Sequence, residues 1–471
     1  MVSASALRQR INATGIGYAG IDGVWWRPAT APFALPASLR CELARIGRAL
    51  FALFDAVLLL HEEQEPIPEL HRLLKQRVPP ELAGLVASGR VELVRPDFQL
   101  APMADGAGYH LVATELEICP SAQGFAHAMQ VGYGLATDLA DHFVQWLQGR
   151  PLLIVATAQW SEFLFDQLAF CRALAERGAQ AHLLFDHPLT AIAGEVRRGE
   201  RWQPPIFGVE QRPQGWDEDV MARIRRHGLE PYLWPADHEW PAAVGEAALF
   251  RFGYLDCFAP AHLARLRQWT EHGATLLNPA SYFLDSKTLM ATLNLPAVRR
   301  QIASRDGSAL ALLDRTIPET VLLERHQLAR LRRQQEQGVV KFAGFDRGNQ
   351  AWGGRSLRLG AATSAMQWED LLVQSLRLAW PVVAQWAVPS AQLAINYYDE
   401  FEQPATLCGA TRLRSFLLRP PAKGADAWVG GAHLTVTAGS AKVAESTVAV
   451  QTPVEFAGPT ALAAERDEAG R

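Results

Sequence analysis

Residues 151–185 constrain the fold more than any other stretch of this chain. P-L-L-I-V-A at 151–156 is a short, unbroken apolar run. W-S-E-F-L-F-D-Q-L-A-F-C-R-A-L-A-E-R-G at 160–178 then reads as a helix and ends on Gly178, a residue that readily takes the left-handed backbone of a helix C-terminus. A-H-L-L-F at 181–185 is a second apolar run. Strand, helix and strand at this spacing make a β–α–β unit, and so a parallel sheet with helices packed on it.

The chain has 471 residues, 49% of them apolar, enough for two or three domains with large cores. Residues 38–61 place apolar side chains at helical period, and 67–90 continue helical up to Gly89. V-E-L-V-R-P-D-F-Q-L and Y-H-L-V-A-T-E-L-E-I, within 90–119, read as two strands joined through a D-G turn. Residues 248–310 alternate apolar strands with helical segments. Strands follow at 338–345 and 381–388, with a helix between them at W-E-D-L-L-V-Q-S-L-R-L-A, and the C-terminal part is rich in strands. The chain divides into a helical region at 1–90, acid-bearing strands at 91–148, a parallel α/β domain at 149–270, a further domain at 271–460 and a frayed tail at 461–471. The class is α+β or α/β.

Several functions are disfavoured. A formal net charge of -4 and no run of Lys or Arg give no basic footprint for nucleic acid. The longest apolar run, A-L-F-A-L-F-D-A-V-L-L-L, is interrupted by Asp55 and too short to span a bilayer. The N-terminus has no apolar core behind its charges, so no secretory leader is expected there. Five scattered cysteines without a C-x-x-C pair point to a reducing, cytoplasmic setting and away from a thiolate zinc site. G-I-G-Y-A-G at 15–20 matches a dinucleotide fingerprint by letters only. It has too little chain before it for a strand, so it reads as a turn or surface element. Asp186, His187, Asp237, His238 and Glu239 read as solvated loop residues. No Ser-His-Asp arrangement is visible.

Two lysines and three acids carry the chemistry. Lys341 ends an apolar strand and opens a glycine-rich stretch, K-F-A-G-F-D-R-G-N-Q-A-W-G-G-R, and Lys287 precedes it. Asp97 lies in R-P-D. Glu115 and Glu117 lie in E-L-E, on one face of their strand because side chains alternate. Cations that could hold phosphates and acids that could hold magnesium are what an ATP-using enzyme needs, and here the acids precede both lysines.

In this order the chain resembles the ATP-grasp ligases, of the circularly permuted type seen in glutathionylspermidine synthase. The likeness rests on L-L-N-P…D-S-K at 276–287, I-P-E-T at 317–320, V-V-K-F-A-G…G-G at 339–354 and V-V-A-Q-W-A-V-P at 382–389. In permuted members the magnesium-binding acids come first, as R-P-D and E-L-E do here. The chain departs from the family in Lys341-Phe342, where lysine-proline is common, and in the bulky R-G-N-Q-A-W run. Two registers of the final acid motif stand open. Glu115-Leu116-Glu117 offers two carboxylates; Glu117-Ile118-Cys119 would offer a thiol to a hard cation that prefers oxygen.

The resemblance implies a circularly permuted ATP-grasp fold with a parallel-sheet pre-ATP-grasp-like domain, and a carboxylate–amine ligase that passes through an acyl phosphate and releases ADP. It implies ATP and Mg²⁺ as cofactors, small carboxylates and amines as substrates, and a homodimer as the common assembly. Another ATP-grasp phosphoryl transfer, or a nucleotide-binding scaffold without catalysis, is the alternative. On this resemblance, Lys287 and Lys341 would neutralise phosphate charge, and Gly344, Gly348, Gly353 and Gly354 would let backbone N–H groups approach it. Gln385, Trp386 and Val388 would meet adenine through the backbone. Asp97, Glu115 and Glu117 would hold magnesium. Arg95, Arg412 and Arg414 are candidates for the acyl phosphate or substrate carboxylate, because a guanidinium suits both. Arg251, Arg355 and Arg358 are further options.

Overall fold

The β–α–β unit forms as its spacing predicts. The computed structural model describes residues 3–18, 21–24, 26–62, 67–75, 89–103, 108–186, 220–234, 240–343, 357–378, 380–438 and 449–457. Leu152–Ala156 pairs in parallel with Ala181–Phe185 on one side and Ala248–Phe252 on the other, and Thr275–Leu276 adds a short fourth strand. The run is uniformly apolar because both sheet faces are covered. Leu152, Ile154 and Ala156 pack with Leu164 and Leu168 of the helix Leu164–Ala175, while Leu153 and Val155 pack with Leu266 and Trp269 of the helix Pro260–Glu271. The first turns of the predicted helix, Ala158–Phe163, are 3₁₀.

A larger sheet carries the rest of the chain's order. Across it lie Arg27–Pro28, Val450–Ala457, Trp428–Thr437, Pro404–Leu418, Leu93–Pro102 and Tyr109–Glu117, with Gln392–Tyr398 paired to the early part of Pro404–Leu418 and Phe33–Pro36 paired to Val450–Ala457. The acid-bearing strands Leu93–Pro102 and Tyr109–Glu117 pair antiparallel, as read from the sequence. One face of this sheet is apolar. Val94, Phe98, Leu413, Leu417 and Leu434 pack there with Leu43, Ile46, Leu50, Phe54 and Val57 of the helix Ala37–Glu62. The other face packs Leu93, Phe416 and Leu418 against Ala126, Leu139 and Phe143, and its remaining polar part bears the candidate site.

A third, antiparallel sheet runs Thr320–Leu322, Val382–Trp386, Gly338–Phe342, Leu357–Leu359, with the helices Leu328–Arg333 and Ala365–Ser375 packed against it through Leu331, Trp368 and Leu372. The described residues are thus mixed α/β: one sheet is parallel, the third is antiparallel, and the large one is antiparallel except where Val450–Ala457 runs parallel to Arg27–Pro28 and Phe33–Pro36. Within 15–20, Gly17–Tyr18 pairs antiparallel with Ile21–Asp22, and Gly15, Ile16 and Gly17 are buried, so the stretch is not the surface element its letters suggest. Of 67–90, Pro68–Lys75 is helical; 76–88 lie outside the described residues. All five cysteines are free, and no helix among the described residues is long and apolar enough to cross a membrane.

Three polar joints lock these layers. The Asn278 side chain accepts from the Glu92 and Leu93 N–H groups at 2.9 and 3.0 Å and donates to the Leu93 and Ile118 carbonyls, so the end of the parallel sheet is tied to both acid strands. Arg251 and Asp285 form a two-pronged pair at 2.9 and 2.8 Å, almost wholly enclosed. Asp166 accepts from the Ala122 and Phe125 N–H groups at 3.0 and 2.7 Å, at the start of the helix Gln123–Tyr133. At that last joint Gly124 leaves no room: a β-carbon there would lie 2.0 Å from the Asp166 carbonyl oxygen. Gly124→Ala should therefore destabilise the protein by about 1–3 kcal/mol, since backbone cannot yield as a flexible side chain can; denaturant unfolding of the two proteins measures this, and an unchanged midpoint would contradict the contact.

Candidate functional site

Strand register writes the site as two transverse rows on the polar face. In the first, Glu115 lies opposite Asp97, Asp97 opposite Arg414, and Arg414 opposite His433. Glu117 and Arg95 face each other one step along. A bulge at Thr114 lets the acid-bearing strand turn its carboxylates to this face while Ala113 and Leu111 stay in the apolar core. The shared face of Glu115 and Glu117, and that of Arg412 and Arg414, were both legible from strand alternation.

Each carboxylate has a cation. Asp97 is 2% exposed; one oxygen accepts from Arg414 Nε at 3.0 Å and the other from Arg412 Nη1 at 2.9 Å. Burial acts to raise its pKa, but Arg414, Arg412 and Arg95 together outweigh burial and hold the carboxyl well below the usual range. Glu115 pairs with Lys287 Nζ at 2.8 Å. Burial again opposes ionisation, and Lys287 leads the groups that keep it below the ordinary value. Glu117 pairs with Arg95, yet burial pushes it up to about 7. Lys341, 6% exposed, reaches across from the third sheet and donates to the Thr114 carbonyl at 2.7 Å. Burial pushes it down to about 8, against the pull of Glu115.

The two lysines are held by residues whose roles the sequence did not disclose. Asp285, next but one to Lys287, is fixed by Arg251 and by the Leu255 N–H at 2.8 Å. Ser286 donates to the Ala343 carbonyl at 2.7 Å, just beyond the Lys341 strand. The D-S-K string that marked Lys287 therefore also contains the clamps that aim it.

Some expectations change. Arg95 is a brace: it is 4% exposed and bonds Glu117 and the Ser121 carbonyl at 2.6 Å, so it presents little to a ligand. Arg251 is sealed on Asp285 and does not face a cleft. Gln385 turns into the core, donating to Thr320 Oγ1 at 2.9 Å. The N–H groups of Trp386 and Ala387 are committed to the Glu319 and Gln337 carbonyls, and the Trp386 ring lies under Arg330 with its Nε1 donating to Gln334. Val388 is half-buried just after the strand. Cys119 is buried, which pushes its thiol up, and makes a poor ligand for a hard cation. Gly344, Gly348, Gly353, Gly354 and Arg355 lie outside the described residues, as do His187, Asp237, His238 and Glu239.

The oxygen donors suit magnesium, but their placement does not yet make a metal centre. Among the described residues no three His, Cys, Asp or Glu side chains are grouped to hold an ion. Lys287, Lys341, Arg95, Arg412 and Arg414 outnumber Asp97, Glu115 and Glu117. With all in their ordinary charge states the cluster is cationic, and it favours a polyanion over a bare dication.

No protein-family model matches the chain, and no curated protein does. Among solved structures it is similar to a glutathione synthetase-like effector from Globodera pallida in its apo form, at 12% identity, over 97% of this chain and 98% of that one, with a TM-score of 0.49. It is also similar to a "Putative gamma-glutamylcysteine synthetase" from Methylobacillus flagellatus KT, at 13% identity, over 85% of this chain and 86% of that one, with a TM-score of 0.39.

The balance at Asp97 is open to test. Asp97→Ala leaves two guanidiniums without their carboxylate and should cost about 3–5 kcal/mol of stability. Because the folded pKa of Asp97 is depressed, its contribution is present above the unfolded carboxylate pKa and is lost as pH falls toward the folded value. The part of the deficit owed to the ionised Asp97 should therefore be present at pH 5 and shrink as pH falls below about 4. Urea unfolding of both proteins across this pH range checks it; a deficit that vanishes at neutral pH would remove Asp97 from its place in the charge balance.

Proposed function

We propose that this protein is an ATP-dependent carboxylate–amine ligase of the ATP-grasp type, forming an amide bond with release of ADP and phosphate. One observation carries the reading. Lys341 from the third sheet and Lys287 from the turn beyond the parallel sheet meet the acids and arginines of the large sheet at one place, around Glu115 and Thr114. Chain segments far apart in sequence, of the kinds that phosphoryl transfer requires, converge there.

The chemistry follows in two steps. A substrate carboxylate oxygen attacks the γ-phosphorus of ATP; the bond from that phosphorus to the β-bridging oxygen breaks and ADP leaves. The amine nitrogen then attacks the acyl carbon, phosphate departs, and the nitrogen gives up a proton. Lys287 and Lys341 would bind and orient the phosphates. Arg412 and Arg414, each with donors beyond those given to Asp97, would hold the carboxylate and then the phosphate that replaces it. Glu115, Glu117 and Asp97 would hold magnesium, which would supply neutralisation of phosphate charge. Burial of the cluster strengthens every one of these interactions.

A second reading, a nucleotide-binding protein without turnover, is favoured by the engagement of all three acids with cations and by the departures from family pattern around Lys341. The two readings part on whether ADP accumulates when acids and amines are supplied.

MgATP binding followed by calorimetry tests the common premise. Lys341→Met should lower affinity at least about tenfold, or ~1.4 kcal/mol. For the native protein, affinity should fall as pH rises past about 8, where free Lys341 gives up its proton, and the variant should lack this fall. Absence of magnesium-dependent nucleotide binding by the native protein would dismiss both readings.

A further inference from the structure

In the second transverse row on the polar face only Arg412 has a role so far. Arg412 lies opposite Thr435, and Thr435 opposite Gln451. On its other side Arg412 is flanked by Gln99, one position beyond the Leu413–Phe98 pair and on the same sheet face as Asp97. This row sits between the charged row and the segment leading from the third sheet, whose Ala391 N–H donates to the Leu100 carbonyl at 2.7 Å. Gln99, Thr435 and Gln451 are all buried.

The row is internally matched at one end only. Thr435 Oγ1 accepts from Arg414 Nη1 at 3.0 Å and donates to Gln451 Oε1 at 3.2 Å. At the other end, Gln99 Oε1 and Arg412 Nε are both shielded from solvent and without a hydrogen-bond partner. Buried polar atoms left unmatched are costly and uncommon. Here an acceptor and a donor on flanking strands are both unmatched, and the donor belongs to an arginine that would hold the substrate carboxylate in the proposed ligase.

We propose that Gln99 is a specificity-determining residue, which with Arg412 selects an acid bearing an amino or hydroxyl substituent on the carbon next to its carboxyl. This rests on the ligase reading of the same site. The carboxylate meets the guanidinium, and the N–H or O–H of the substituent meets Gln99 Oε1. An acid with only hydrogens on that carbon leaves the acceptor buried and unmatched, and so binds more weakly. Position 99 was passed over in the sequence because a glutamine on a half-apolar strand carries no motif; only the register places it beside Arg412.

The test uses the full chain with Mg²⁺ and a non-hydrolysable ATP analogue, and ligand-observed NMR with L-alanine, L-lactate and propionate as probes. The native protein should bind alanine or lactate at least about tenfold more tightly than propionate, and Gln99→Leu should bind the three alike. The thermal midpoint of Gln99→Leu should match or exceed the native one, because an unmatched buried atom has been removed. A midpoint lower by several degrees would make Gln99 structural and overturn the proposal, as would native protein that binds the three acids equally or binds none. Nucleotide binding on the same samples separates the levels: if it persists while discrimination is absent, only the role of Gln99 falls; if it is absent, the ligase reading falls with it.

Discussion

A carboxylate as deeply buried as Asp97 can stay ionised only because Arg412 and Arg414 bring two guanidiniums to its two oxygens. The rest of the polar face is arranged around that balance. Arg414 is free to reach Thr435 because Asp97 takes only its Nε, and Glu115 sits opposite Asp97 because Lys287 and Lys341 offset the second negative charge. Removing water makes each of these pairings stronger and each unpaired charge less tolerable, so the cluster stands or falls as a unit.

The large sheet separates stability from chemistry by its two faces. The helix Ala37–Glu62 seals one face with aliphatic and aromatic side chains, and this burial provides the rigid support. The opposite face is apolar where Phe416 and Leu418 meet Leu139 and Phe143, and elsewhere carries polar groups whose positions are fixed to the repeat of the strands. Asn278 and the Arg251–Asp285 pair then set the parallel sheet against this frame, and Ser286 connects the Lys287 turn to the Lys341 strand. A lysine from one sheet can thus approach a carbonyl of another within hydrogen-bond distance.

Much of this was legible along the chain. The β–α–β unit, the acid-bearing hairpin and the long helix announced themselves because hydrophobic periodicity is local, and so did the common face of Glu115 and Glu117. Lys287, Lys341, Asp97, Arg412 and Arg414 were picked out by residue type and neighbourhood, and the fold brings them together. Arg95, Arg251 and Gln385 were picked out by the same signals yet serve as braces. A guanidinium or an amide on a strand reads alike whether its partner is a ligand or another side chain. Asn278, Asp285, Ser286 and Gln99 were missed because their roles are made by residues far away, in Asn278 by more than one such segment.

The sequence by itself determined which segments become helix or strand, which face of each is apolar, and which residue types are present for phosphate, acid and metal chemistry. Those are properties of neighbours within a few residues, where spacing and side-chain alternation act directly. Only the tertiary structure decided which cation each carboxylate takes and that Gln99 flanks Arg412. Those pairings join residues as much as 317 positions apart, and they depend on strand order, on the bulge at Thr114 and on the competition between burial and charge, none of which a linear pattern records.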